Sequence, residues 1–294
     1  MFHRNERIWL VGAQGQVGSA FSGLLDTDEV ELLPTDQEDV DITNSESVRL
    51  FMDMNRPEII INCAGMTSLM DCEENKEDAF RVNALGPRNL SVAARSFRAR
   101  MVQFSTDDVF DGKSQSPYDE FDPPSPVSVY GKSKLAGENF VKELAPKHLI
   151  IRSSWVYGKG NNFVTEILER IQKGDEVQAS CGQFASPTSA VEVAKTIYLL
   201  LEMEAYGTYH ATCQGYCSRY DFARKIAELS GSHREVLKTP TSQSPDALLR
   251  PSYTVLDNLM LRISGLPTPV HWEQALKQYL DQENKGDKSN EPKN

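Results

Sequence analysis

Short apolar runs alternate with longer stretches of mixed polarity through the first half of the chain. The runs Ile8–Val11, Glu31–Leu33, Ile59–Ile61, Met101–Phe104 and Leu149–Ile151 predict buried strands, and the stretches Gln16–Leu25, Ser45–Met54, Glu77–Phe97 and Tyr130–Leu144 predict helices. Thr43 followed three residues later by Glu46 has the form of a capping box and predicts a helix start there. Strands that alternate with helices predict an α/β fold, a doubly wound parallel sheet, because parallel neighbours need a crossover connection. In such sheets ligands bind beyond the carboxyl ends of the strands, so the loops after the strands are where chemistry is sought.

Composition narrows the function classes. The 294 residues carry 42 acidic and 31 basic side chains, a net charge of -11. A sequence-independent grip on nucleic-acid phosphates is therefore not expected, and an anionic substrate needs a locally basic pocket. Nothing in the chain approaches the roughly 20 apolar residues of a membrane span, and the apolar start is too short for a signal peptide, so a cytoplasmic protein is expected. Cys63, Cys72, Cys181, Cys213 and Cys217 lack metal-site spacing and read as free thiols.

The first loop, Gly12-Ala13-Gln14-Gly15-Gln16-Val17-Gly18, follows a strand and opens a helix. Glycine lets the backbone approach a pyrophosphate while the helix start presents its N–H groups. Its G-x-x-G-x-x-G spacing differs from the commoner G-x-G-x-x-G, and a glycine triplet alone also fits an ordinary turn. Asp36 follows the second strand, where a carboxylate can bind an adenosine ribose and repel a 2′-phosphate, which favours NADH over NADPH. A solvated loop aspartate would look the same. The small residues Cys63, Ala64 and Gly65, with Thr67, follow the third strand, and Ser105 and Thr106 end the fourth, where hydroxyls can meet a substrate oxygen or their own backbone.

Tyr130 and Lys134 stand four apart on a predicted helix and share a face. A phenol of pKa about 10 is a poor acid at neutral pH. An ammonium about 4 Å away is worth roughly 1 to 4 kcal/mol, enough to lower it by up to about three pKa units. Such a pair is expected to exchange a proton near pH 7.

Glycine loop, acidic residue, Ser/Thr and then Tyr-x-x-x-Lys is the order found in the extended short-chain dehydrogenase/reductases. With "FSTDDVFDG", "SPVSVYGKSKLAGE", "IIRSSWVYGKGNNFV", "GQFASPT" and "LLRPSYTVLDN", the chain resembles the dTDP-4-dehydrorhamnose reductase (RmlD-type) family from about Ile8 to Leu280. The resemblance implies a Rossmann-type fold and NAD(P)H-dependent reduction of the 4-keto group of a nucleotide-activated deoxysugar, dTDP-4-dehydrorhamnose to dTDP-rhamnose, for cell-surface polysaccharide. It implies Tyr130 as proton donor, Lys134 at the nicotinamide ribose and Thr106 on the substrate oxygen. The expected cofactor groove takes in Gly12, Gln14, Gly15, Gln16, Val17, Asp36, Asp41, Ile42, Cys63, Ala64, Gly65, Thr67 and Ser105 with Tyr130 and Lys134. The expected substrate side takes in Thr106, Asp108, Trp155, Gln183 and Arg250, the arginine as a diphosphate clamp.

Residues 1–155 are expected to form the dinucleotide domain, with 190–212 returning to it, residues 156–283 mainly a smaller substrate lobe, and 284–294 a disordered tail. The chain departs from the family at three places. Asp108 replaces a tyrosine, which moves the motif toward the T-D-E of the related 4,6-dehydratases; the family's lysine is absent from Leu69–Glu73; and Ala20 stands where a glutamate helps bind magnesium at a dimer contact in some members. No metal is expected, and a homodimer is a candidate whose contact Ala20 weakens. Two other readings stay open: a dehydratase or epimerase retaining NAD+, and a non-catalytic regulatory subunit like that of methionine adenosyltransferase.

Overall fold

The computed structural model describes residues 6–25, 30–241 and 249–289. Six strands, β1 (Glu6–Val11), β2 (Val30–Thr35), β3 (Ile59–Asn62), β4 (Arg100–Thr106), β5 (His148–Ser153) and β6 (Gly207–His210), form one sheet in the order β6-β5-β4-β3-β1-β2. All neighbours are parallel. Side chains alternate between its faces. Ile8, Leu10, Ile59 and Ile61 pack beneath helices Gln16–Ser22 and Ala190–Glu202, while Trp9, Val11, Ile60, Met101 and Ile150 pack beneath Ser45–Asn55, Gly86–Phe97 and Val129–Leu144. Helices on both faces explain why these strands read as continuous apolar runs. From β1 the chain turns one way to β2 and the other way to β3, so a crevice opens at the carboxyl ends of β1 and β3.

Three element boundaries differ from expectation. β2 runs on through Pro34, which a strand tolerates here because β2 is the sheet edge. The helix start expected at Thr43 belongs to Asn44, whose side chain accepts from the N–H groups of Glu46 and Ser47; Asn is at least as strong a cap as Thr. The stretch Glu77–Phe97 is not one helix but Lys76–Phe80, a π turn at Arg81–Leu85, and Gly86–Phe97, with Pro87 unable to donate back to the preceding turn.

A smaller lobe covers the cleft. Parallel strands Val177–Ser180 and Val236–Thr239 pair within it, and helices Phe163–Lys173, Arg219–Leu229 and Trp272–Ser289 pack around Tyr157, Ile167, Phe222, Ile226 and Leu276. Residues 251–258 return toward the main sheet, where Tyr118 N–H donates to Val255 O (2.8 Å) and Asp257 N–H to Tyr118 O (2.7 Å). The last helix, Trp272–Ser289, continues into the stretch expected as tail. Residues 290–294 lie outside the described residues. All five cysteines are unpaired.

Candidate active site

Two close backbone approaches shape the cleft. Gly12 follows β1 with φ +75°, and a Cβ there would sit 2.7 Å from Ala64 N, so only glycine lets the first loop lie against the loop after β3. At Gly131 a Cβ would meet Asp108 O at 2.1 Å, so glycine lets the helix Val129–Leu144 press its first turn onto the loop after β4. That contact brings Tyr130 toward Thr106. Ser128 caps the same helix by accepting from Gly131 N–H (3.0 Å), and Val129 N–H donates to Glu73 (2.7 Å). From the π turn, Asn83 accepts from Met66 N–H (2.9 Å) and donates to Met66 O (2.9 Å) and Ser133 Oγ (3.0 Å). A buried amide thus ties the loop after β3 to the Tyr130 helix.

These elements enclose a cavity of about 1390 Å³ between sheet and lobe. Of the expected cofactor residues, Gly15, Gln16, Val17, Cys63, Gly65, Thr67, Ser105, Tyr130 and Lys134 line it. Gly12, Gln14, Asp36, Asp41, Ile42 and Ala64 lie outside its lining. Ile42 packs its side chain into the core with Val48 and Met52, while its carbonyl accepts from Asn89 (3.0 Å). The Asp36 carboxylate accepts from Gln14 N–H at 3.2 Å and so braces the first loop, and that of Asp41 accepts from Thr43 N–H at 2.9 Å. Thr106, Asp108, Trp155, Gln183 and Arg250, expected on the substrate side, line the cavity too.

Charge in the cleft is arranged differently from expectation. Lys134 is buried and donates to Phe104 O at 2.7 Å; burial pulls its ammonium down to about 8 against the opposing charge of Glu138. The Tyr130 phenol is pushed up, not down: burial is the main cause and the Asp108 charge the next, while Thr106 pulls the other way. Sharing a helix face did not make Lys134 the dominant neighbour, because its Nζ is drawn to the β4 carbonyl. Thr106 donates to Asp107 (3.2 Å) and accepts from Asp108 N–H (3.2 Å). The buried Asp107 also accepts from Ser154 Oγ (2.7 Å) and from Thr254 Oγ1; burial raises its pKa against these hydrogen bonds. Arg250 lies 3.7 Å from the Asp108 carboxylate, which uses part of the charge expected to clamp a diphosphate.

Sequence reasoning missed three contributors. Glu138 is buried and pairs with Arg152 (2.7 Å) while accepting from Ser105 Oγ (2.6 Å); a helix glutamate reads as solvated until the fold covers it. Phe163 and Arg219 join Trp155 at the lobe side. Trp155 holds the left-handed conformation, φ 42°, at a cost of about 1–3 kcal/mol that is commonly found at ligand sites. Among the described residues no cluster of His, Cys, Asp or Glu could hold a metal ion, and no helix is long and apolar enough to cross a membrane.

The family model described as the RmlD substrate binding domain matches residues 6–285. The chain is 37% identical over 274 residues to a dTDP-4-keto-6-deoxy-D-glucose reductase of Streptomyces niveus, covering 92% of this chain and 95% of that one. A crystal structure of a dTDP-4-dehydrorhamnose reductase from Clostridium acetobutylicum superposes with a TM-score of 0.92 at 42% identity, covering 95% and 99% of the two chains. One from Bacillus anthracis, in complex with NADP, does so with the same score at 38% identity and the same coverage.

Proposed function

This chain belongs to the RmlD substrate-binding-domain family, and on that premise we propose that it is an NAD(P)H-dependent reductase of the 4-keto group of a nucleotide-activated deoxysugar, dTDP-4-dehydrorhamnose in the first instance. The observation that carries the reading is the meeting of Thr106, Tyr130 and Lys134 on one wall of a cavity whose other end is the glycine loop.

The groove suits a dinucleotide. Gly15 heads helix Gln16–Ser22, which no side chain caps, and a Cβ on Gly15 would meet only Gly12 O, at 3.3 Å, so the cradle is open to a diphosphate. Gly15 to Val17 would hold the diphosphate, Asp36 the adenosine ribose, Cys63 and Gly65 the middle of the molecule, and Lys134 the nicotinamide ribose. Asp36 inclines the reading toward NADH. The cofactor, when bound, supplies hydride to the carbonyl carbon.

Tyr130 gives its phenolic proton to the carbonyl oxygen as that oxygen becomes an alkoxide, and takes a replacement from solvent. A phenol with a raised pKa still serves, because an alkoxide is about as basic as hydroxide, whose parent water has a pKa of about 15.7. The raised value keeps the proton in place until charge develops on the sugar. Thr106, once its single proton turns from Asp107 to the substrate, supplies a second hydroxyl to the same oxygen, and Ser105, held by Glu138, fixes the end of β4. Homodimerisation and a cytoplasmic location belong to the same proposal.

Reduced-nicotinamide absorbance should fall in proportion to added dTDP-4-dehydrorhamnose, and Tyr130→Phe should cut kcat by about 10²- to 10⁴-fold. Protein that purifies with tightly held NAD+ and converts a nucleotide sugar without net oxidation would replace the reductase by a dehydratase or epimerase. A stable complex with another protein and no ketosugar turnover would point instead to the regulatory-subunit reading.

A further inference from the structure

Arg219 opens helix Arg219–Leu229, its guanidinium over the Trp155 ring at 3.7 Å from the ring centre and over that of Phe163 at 4.6 Å. Ring stacking engages the faces of the guanidinium and leaves its in-plane N–H donors for an oxyanion. Among the described residues, no carboxylate or carbonyl accepts a hydrogen bond from those donors; Arg219 bonds through its backbone N–H, to Gln183 O at 3.1 Å. Gln183 stands just before the strand Phe184–Ala185, which pairs antiparallel with Cys217–Ser218, so the two residues are neighbours across paired strands. The Gln183 side chain is 4% exposed, lines the cavity, and its Nε2 has no hydrogen-bond partner. A buried amide donor left unpaired points to a ligand acceptor, since such groups are otherwise nearly always satisfied.

Arg250 also lines the cavity and faces the Asp108 carboxylate at 3.7 Å. Burial and then the Arg250 charge pull the Arg219 guanidinium down to about 9, against the charges of Asp107 and Asp108, so at neutral pH it stays charged with Arg250 as a like neighbour. An anion entering between them relieves that repulsion. In a chain of net charge -11, a built cationic spot inside a buried cleft is where an anionic substrate group can be held.

We propose that Arg219, held between Trp155 and Phe163 with the Gln183 amide near by, grips the diphosphate of the nucleotide sugar, and that Arg250 serves chiefly to neutralise Asp108. This rests on the reading of the substrate as a nucleoside-diphosphate sugar. It is a division of labour between two arginines: one binds the nucleotide end of the substrate, the other keeps a carboxylate tolerable beside the proton donor.

The test is calorimetric titration of the cofactor-loaded protein with dTDP, UDP, thymidine and uridine, for wild type and for Arg219→Ala, Arg219→Lys and Arg250→Ala. Charge-assisted bonds of the kind assigned to Arg219 correspond to a loss of about ten- to a hundredfold in diphosphate affinity for Arg219→Ala. Nucleoside affinity should stay within about twofold, and Arg219→Lys should fall between. Unchanged binding of NADH or NADPH by Arg219→Ala shows that the variant is folded; if it is not, Arg219→Lys carries the comparison. Equal weakening of nucleosides and diphosphates overturns the proposal, because Arg219 would then only be part of the wall. A drop in Arg250→Ala without one in the Arg219 variants overturns it in favour of Arg250, and wild-type protein that binds neither diphosphate overturns it as well. Arg219-dependent binding of UDP by a protein that reduces no dTDP-ketosugar would uphold the diphosphate site while removing the proposed substrate.

Discussion

Replacing Glu138 by Gln removes one charge from beneath the catalytic loop and tests whether that charge holds the site in place. The carboxylate accepts from Ser105 Oγ at 2.6 Å, Arg152 Nε at 2.9 Å and Arg152 Nη2 at 2.7 Å, and Lys142 Nζ lies 3.4 Å away. The Glu138 and Arg152 side chains are 0% and 2% exposed, so water cannot replace a lost partner. Burial works against the carboxylate charge, yet the Arg152 hydrogen bond and charge outweigh it and hold Glu138 below the usual range. Removing one partner of a buried pair costs about 3–5 kcal/mol, and glutamine keeps one acceptor oxygen, able to take Ser105 Oγ and Arg152 Nε, which places the expectation near 3. For a chain of this size about 2 °C accompanies each kcal/mol, a fall in Tm of about 6 °C. Because the folded-state pKa is depressed, the wild-type advantage should be complete at neutral pH and shrink as pH falls below about 4. A second effect follows on the preceding turn of the helix. Glu138 is the largest charge keeping Lys134 protonated against burial, so its loss should move the alkaline limb of kcat/KM from about 8 to lower pH. Circular-dichroism melts across pH and a pH–rate profile measure both. An unchanged Tm together with an unmoved alkaline limb would refute the reasoning.

Three further outcomes follow from the geometry. Thr106→Val should lower kcat by about 10²-fold or more with Thr106→Ser restoring most of it, since it removes a hydroxyl donor to the developing alkoxide; steady-state kinetics decide. Gly12→Ala should weaken NADPH binding and lower stability by more than about 1 kcal/mol, as both φ +75° and the 2.7 Å approach to Ala64 resist a side chain; cofactor titration and melting report it. His210 is fully buried, and burial, then Arg152, pull its imidazole down to about 3, so the unfolded chain takes up a proton first as pH falls below about 6.5. Wild-type stability should therefore decline from about pH 6.5 downward, and His210→Asn should flatten that slope in acid melts.

Much of the fold was legible because a parallel sheet covered on both faces leaves unbroken apolar runs, and Ile59–Ile61 and Leu149–Ile151 could hardly be read otherwise. The loops that bring Thr106 and Tyr130 together follow from strand order alone. What could not be read depends on chain segments far apart in sequence. Arg219 meets Trp155 only once the lobe has folded, and Glu138 is a buried anion only because Arg152 on β5 stands opposite it. The proton affinity of Tyr130 was misjudged for a related reason: helical spacing identifies Lys134 as a neighbour but says nothing of the carboxylates of Asp107 and Asp108 or of the carbonyl that captures the ammonium.

Asp107 gathers hydroxyls from three separate places: Thr106 at the end of β4, Ser154 after β5, and Thr254 on the segment returning from the lobe. The hydroxyl assigned to the substrate oxygen is thus joined through a single carboxylate to the far end of the chain. Exchanging lobes between relatives to change sugar preference would sever that joint unless position 254 remained a hydroxyl residue, so chimeras without one there should fold and bind cofactor yet turn over slowly.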